Sequence, residues 1–404
     1  MRASRFVSTA LMAVGTASFV LSFSSASASA ASASQGVTAS QILIGTSGPL
    51  TGPIAAYGAV SEGANAYFQY VNDHGGINGR KIKLVMLDDQ YQPDLGVANA
   101  RKLVADKVFA TVSLLGTSVV EAMKPILLKA GIPMTGVATG SSQLTFPANP
   151  NVWGFEPSYT LEGHLLLSWA VHHRGIKTIG VLYQNDDFGR EGLAALQQEA
   201  KTDGVRILAT ASYNPTDTDF STQAQTLAVA NPQAIFEFSV PEPTAQFMKD
   251  LQQLGYSGQQ YVSDVSGDPV FMFALAGAAF NNVYTDAYMP ALSATASQAF
   301  VSEWKQLYPN QPVSQTAESG WVEAQILAHA IALCGNDLTW SNLRVQMDNI
   351  RHWRGALTIG PVTYTKTFHA GTNEIQMVQA NASTLTMNPV SGLLHYHEVK
   401  SSLK

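Results

Sequence analysis

Three loops carry side chains that could hold a small solute: GTSGPLTGPIAAYG (45–58), GTS (116–118) and ATGSSQ (138–143). Each combines glycine with Ser or Thr hydroxyls. Hydroxyls beside the open backbone N–H groups and positive end of a helix make a receptor for a carboxylate or another small acceptor. The second and third loops supply Thr117, Ser118, Thr139, Gly140 and Ser141, and Tyr57 at the end of the first could form an aromatic wall. Ser and Thr near helix starts also serve as N-caps, so capping is the plainer reading of any one loop. Three such loops at one sheet edge favour a binding site. A second set lies in QNDDFG (184–189), SVPEP (239–243) and SDVSGD (263–268). There Phe188 could close over a ligand, and Asp264 or Glu242 could meet an amino group. The plainer readings are Asp187 as a helix cap and Pro241 and Pro243 as helix starters.

Chemistry beyond binding has little to work with. No G-x-S-x-G elbow and no H-E-x-x-H helix occurs. The one cysteine, Cys334, sits on an apolar helical run and reads as core rather than nucleophile. His172 and His173 are adjacent and point apart on a helix, and His395-x-His397 lacks a carboxylate or cysteine companion for a metal. No catalytic residue, metal or cofactor is expected.

These loops need elements to hold them. From residue 40 onward, strand-like and helix-like periods alternate. QILIGTSG (41–48) is a β-type run, and SEGANAYFQYVN (61–72) places Ala64, Tyr67, Phe68 and Val71 on one helix face. HGGING (74–79) ends that helix and turns tightly into the strand KIKLVMLDD (81–89). Its glycines are read as connectors, because a phosphate loop needs the order strand–Gly–helix. Helix 93–106, strand 110–116, helix 119–130 interrupted by Pro125, and strand 133–137 follow. After VWGFEPSY (152–159) the pattern restarts with helix 160–173, strand 178–184, helix 189–203, strand 205–213, helix 219–230 and strand 234–239. Helix 243–254, strand 259–264, helix 268–278 and strand 282–289 complete it. Helical segments near 294–307, 315–334 and 338–350 and short strands near 361–366 and 374–381 close the chain. Such alternation implies parallel sheets flanked by helices, in two doubly wound units, with ligands at the carboxyl ends of the strands.

Bulk properties agree. The 404 residues exceed the usual size of one core, so two domains are expected. With 13% charged residues, a net charge of −6 and no basic run, a disordered chain or a nucleic-acid partner is not expected. Residues 1–34 have the order of a secretory signal: Arg2 and Arg5, an apolar stretch from Leu11 to Phe23, then overlapping Ala-x-Ala sites. The mature chain should therefore be soluble and periplasmic or secreted, without a lipid anchor or disulfide.

The segments ILIGTSGPLTGPIAAYG, YVNDHGGINGRKIKLVMLDDQYQPDLGVANARKLV and AGIPMTGVATGSSQLT resemble the substrate-binding proteins of branched-chain amino acid ABC transporters. These are type I periplasmic binding proteins, and the resemblance runs from about residue 40 to 395. It implies two doubly wound parallel-sheet lobes joined by a three-strand hinge. The N-terminal lobe would hold 37–157 plus 288–357, and the C-terminal lobe 158–287 plus 358–404. The family's ligand loops match Thr117 with Ser118 and the segment Thr139, Gly140, Ser141. Its flanking aromatics match Tyr57 and Phe188, and its amino-group carboxylate falls at or near Asp264. SVPEP stands where a glycine- and tyrosine-rich loop is the rule, leaving the contact there between Val240 and Pro241. Gly116 occupies the place of a cysteine found in some members. The implied function is capture of an amino acid or related carboxylate or amide, with ABC permease subunits as partners and a monomeric state. A ligand-sensing subunit for a receptor and an exported hydrolase are the alternatives.

Overall fold

The computed structural model describes Met1 and residues 35–395; the rest of the expected signal segment and His397 lie outside the described residues. The alternating periods become alternating elements. The first run is β1 (Gln41–Gly48), α1 (Gly58–Asp73), β2 (Lys81–Asp88), α2 (Pro93–Ala105), β3 (Ala110–Val112), α3 (Thr117–Ala130), β4 (Met134–Val137), the single turn α4 (Ser142–Thr145) and β5 (Val152–Gly154). The second run opens with α5 (Tyr159–Arg174), β6 (Thr178–Gln184), α6 (Asp187–Thr202), β7 (Arg206–Tyr213) and α7 (Ser221–Ala230). It continues through β8 (Ala234–Phe238), α8 (Pro241–Gln253), β9 (Gln259–Val262), α9 (Pro269–Ala276) and β10 (Tyr284–Ala287). Three helices follow, α10 (Gln298–Leu307), α11 (Gln315–Leu333) and α12 (Trp340–Asp348). The strands β11 (Thr363–Thr365), β12 (Phe368–Gly371), β13 (Glu374–Asn381) and β14 (Thr386–His395) come last.

Strand order positions the site. One sheet runs β2-β1-β3-β4-β5, all parallel. The second repeats that order as β7-β6-β8-β9-β10, also parallel, and continues past β10 through antiparallel β13 and β14. In each, the first strand of the run lies beside the third, so the winding reverses there. A crevice opens outside the carboxyl ends of strands at such a reversal. The strands are apolar because both faces are covered: β3 and β8 are buried at every residue. Helices seal the sheets through single faces. α3 buries Val119, Val120, Met123 and Leu127, while α1 and α11 cross so closely that glycine is needed on both. A Cβ on Gly63 would lie 1.8 Å from the Ala317 carbonyl oxygen, and one on Gly320 would lie 1.8 Å from that of Val60.

The HGGING segment behaves as its residues predict. Gly75 and Gly76 leave the helix with positive φ, and Asn78 and Gly79 both have positive φ in a two-residue turn closed by reciprocal Ile77–Arg80 hydrogen bonds. Elsewhere the structure corrects the sequence reading. α3 begins at Thr117 and passes through Pro125 unbroken, its buried face outweighing the lost backbone bond. The strand expected over 110–116 stops at Val112, because Ser113 turns the chain with φ +54. Three strands were not expected, β5, β12 and β14. β14 carries Asn388, Pro389 and Gly392, which weaken a strand signal, yet it lies at the sheet edge where a proline is tolerated. The cap of α6 is Asp186, not Asp187: its carboxylate accepts the Gly189 N–H at 3.2 Å.

Candidate functional site

The carboxyl ends of the two sheets face a cleft of about 90 Å³. That exceeds the ~10–15 Å³ that holds a single water, so a small solute has room there. Loops after β1, β3 and β4, with the start of α11, form one wall; loops after β6, β8 and β9, with β10 and the residues after it, form the other.

The first wall is built on fixed hydroxyls and an open helix end. Gly116 precedes α3 at φ +89, and a Cβ there would sit 2.4 Å from the Tyr91 ring, so only glycine fits. No side chain caps α3, which leaves its first-turn N–H groups directed to the cleft side. Thr117 Oγ1 lies 2.7 Å from Thr139 Oγ1, which in turn lies 3.3 Å from the Tyr159 hydroxyl and accepts the Ser141 N–H at 3.2 Å. The loop after β1 is latched by the aspartate pair that ends β2. Asp88 accepts the Leu50 and Thr51 N–H groups at 3.0 and 3.2 Å, and Asp89 accepts the Ser47 hydroxyl at 2.6 Å.

The second wall is acidic. Asp264 follows β9, and its backbone N–H donates to Glu162 Oε1 of α5 at 2.5 Å. The other Glu162 oxygen accepts the Ser263 hydroxyl at 3.0 Å. Asp286, in β10, brings a third carboxylate, and one oxygen from each of the three lies within 4.8 Å of the others. Burial, then the Asp264 charge, pushes Asp286 up to about 8. Burial and the same neighbour also raise Glu156 and Glu162.

Hydrogen bonds join the walls. Tyr57 donates its hydroxyl to the Val265 carbonyl, Ser118 donates to Asp186 Oδ2 at 3.1 Å, and Gln184 donates to the Tyr91 hydroxyl at 3.3 Å. Thr316, in the first turn of α11, gives Asp268 Oδ2 both its N–H and its hydroxyl, at 2.8 and 2.9 Å.

Of the residues singled out from sequence, Tyr57, Thr117, Phe188 and Asp264 line the cleft, as does Val240. Thr139, Gly140 and Ser141 stand one layer behind, and Ser118 is turned to Asp186. Neither Gly116 nor Ser141 caps its helix with a side chain, so these hydroxyls are not spent as caps. Glu242 and Pro241 are not among the lining residues. Glu156, Asp268, Asp286 and Tyr288 line the cleft and were not foreseen. Asp286 carried one readable signal, an acid set among the Val, Tyr, Ala and Met residues of a strand-like run. Cys334 is buried and its thiol is pushed up to about 12 by burial and Asp337, in keeping with a core position.

Comparison with known proteins follows the same lines. The family model described as "Periplasmic binding protein" matches residues 41–384. The chain is 29% identical over 197 residues to the Leu/Ile/Val-binding protein homolog 3 of Brucella melitensis, covering 48% of this chain and 53% of that protein. It thus spans about half the length of that curated relative. Among solved structures, a substrate-binding periplasmic protein from Ralstonia solanacearum is 28% identical with a TM-score of 0.78, covering 88% of this chain and 100% of that one. A fatty acid ABC transporter substrate-binding protein from Thermomonospora curvata shares the fold with a TM-score of 0.84 at 21% identity, over 91% and 96% of the two chains. Motifs, strand order and family match agree, and the chain belongs to the periplasmic binding protein family, with the type I fold.

Proposed function

We propose that this chain is an extracytoplasmic solute-binding protein. It captures a small polar ligand, an amino acid or a related carboxylate or amide, and delivers it to the permease of an ABC transporter without chemical change. The observation that carries this reading is a cleft between two sets of strand ends, bridged by hydrogen bonds from Tyr57, Ser118 and Thr316. A relative named for leucine, isoleucine and valine supports an amino acid, whereas the fatty acid-binding neighbour shares only the fold. The lobes expected from the sequence are 37–157 with 288–357, and 158–287 with 358–404, with crossings near 157, 287 and 357. Tyr364 and His369, bonded to the Gly154 and Val152 carbonyls at 2.7 Å each, favour placing the last crossing after Gly371. Ligand docks first on Thr117 and the α3 N-terminus, and closure adds contacts from Phe188 and Asp264, shifting the population to the closed form. The arginine-led, apolar N-terminal segment favours export, and the mature chain acts as a monomer in the periplasm or outside the cell.

The test is a thermal-shift screen of the mature chain against amino acids, aromatic acids and amides. It is paired with small-angle scattering of each stabilised complex. Ligand at a hundred times its Kd should add about 2.7 kcal/mol and compact the particle. A scattering profile unchanged by every stabilising ligand, or turnover of one, would sink the reading.

A further inference from the structure

The charges on the cleft wall do not balance. Glu156, Asp264, Asp268 and Asp286 line it, and among the described residues none of the lining side chains is Lys, Arg or His. Asp268 is occupied: it caps α9 through the Val270 N–H at 2.9 Å and holds Thr316. Both oxygens of Glu162, just behind, are taken by the Asp264 N–H and the Ser263 hydroxyl. Asp286 differs. It is 3% exposed, it lines the cleft, and no N–H or alcohol group donates to either of its oxygens; its one polar partner is the carboxyl of Glu162, itself an acid. Its near neighbours are acids: Glu162 from α5 and Asp264 from the turn after β9. β13, on its other flank, presents Met377 in register and no charge.

We propose that this cleft is built for a ligand of net positive charge, a small molecule with two cationic or donor-rich groups, rather than for a neutral zwitterion. The proposal rests on the solute-capture reading and names its substrate class. One ammonium balances one carboxylate, and a zwitterion's own carboxylate, seated at the α3 N-terminus, adds no positive charge to the acidic wall. A neutral amino acid would leave at least one of Asp264, Asp286 and Glu156 without a counter-charge. A buried acceptor without a partner is costly, and crowded carboxylates cannot all ionise. In the empty cleft they therefore hold protons, which a cationic ligand displaces.

Calorimetry and thermal shift on the mature chain decide the matter. The probes are putrescine and ornithine as cations, valine and leucine as zwitterions, benzoate as an anion, and calcium alone. Either cation should bind about tenfold or more tightly than either zwitterion, and Asp286→Asn should weaken cation binding by about tenfold or more. Since the only polar partner of Asp286 is the Glu162 carboxyl, to which an amide can donate, this variant should melt at or above wild type. Glu156→Gln serves as a second variant with the same expected direction. Cation binding should also release protons, seen as an enthalpy that changes with the ionisation heat of the buffer. Zwitterions or benzoate binding as tightly as the cations would overturn the charge assignment and leave solute capture standing. So would unchanged cation affinity in both variants, or calcium alone stabilising the chain and excluding the amines. No binding by any probe, with no response in the wider screen, would overturn both readings.

Discussion

Glu318, in the first turns of α11, gives a test of how dry the region under the cleft is. The residue is fully buried, with the Ser297 hydroxyl beside its carboxylate. Burial raises it from 4.5 to about 7; the neighbouring Ser297 hydroxyl offsets part of this and the Asp268 charge adds to it. A carboxyl raised in the folded state stabilises the fold fully below its unfolded value and loses that contribution as pH climbs through the folded one. For one group moving from 4.5 to about 7, stability falls by about 2.5 kcal/mol between about pH 5 and about pH 8. The positive end of α11 favours the charged form and trims this by up to ~1 kcal/mol. Glu318→Gln keeps the shape and removes the titration. Urea unfolding of both ligand-free proteins should show near-equal stability at about pH 5 and a variant more stable by about 1.5–2.5 kcal/mol at about pH 8. An offset constant across the range would refute the reasoning, because a pH-independent difference cannot come from a shifted carboxyl.

Other perturbations probe other links. Thr117→Ala breaks the hydroxyl chain through Thr139 to Tyr159 and should weaken ligand capture by about 1–3 kcal/mol in calorimetry; unchanged affinity would remove the α3 loop from the site. Tyr57→Phe removes the bond to the Val265 carbonyl that joins the walls, and scattering of the ligand-free variant should show a larger radius of gyration than wild type. Gly320→Ala drives a methyl into the Val60 carbonyl and should cost about 3 kcal/mol or more, while an unchanged melting point would deny the close α1–α11 crossing. Glu237, fully buried in β8 with neither oxygen bonded, should tolerate Leu with neutral or improved stability, up to about 3 kcal/mol, at mildly alkaline pH. A large loss there would reveal a partner for the carboxyl.

Much of this molecule is legible in one dimension because the signals are local. The Asn78-Gly79 turn, the Pro241 helix start and the α1 face each depend on residues a few positions apart, and the structure has all three. Local signals failed where packing overruled them. Pro125 looked like a break, but the buried face of α3 carries the helix through it. β14 has poor strand residues and exists because β13 offers it an open edge. At the cleft, strand-end loops pointed to Tyr57, Thr117, Phe188 and Asp264, since ligands gather at the carboxyl ends of parallel strands.

From its residues alone, the chain determined the order of strands and helices, the hydroxyl-rich loops at strand ends, and the family to which those loops belong. Periodicity and turn chemistry act over a few residues, and so are written in the chain itself. Only the tertiary structure decided that Glu162, 102 positions away from Asp264 in sequence, would place its carboxylate on that residue's backbone N–H, with the Asp286 carboxyl crowded beside them. Such convergence depends on which strands become neighbours and how deeply their ends are buried. No local pattern encodes that, because the cost of crowding charges arises once the sheets have formed and water has been excluded.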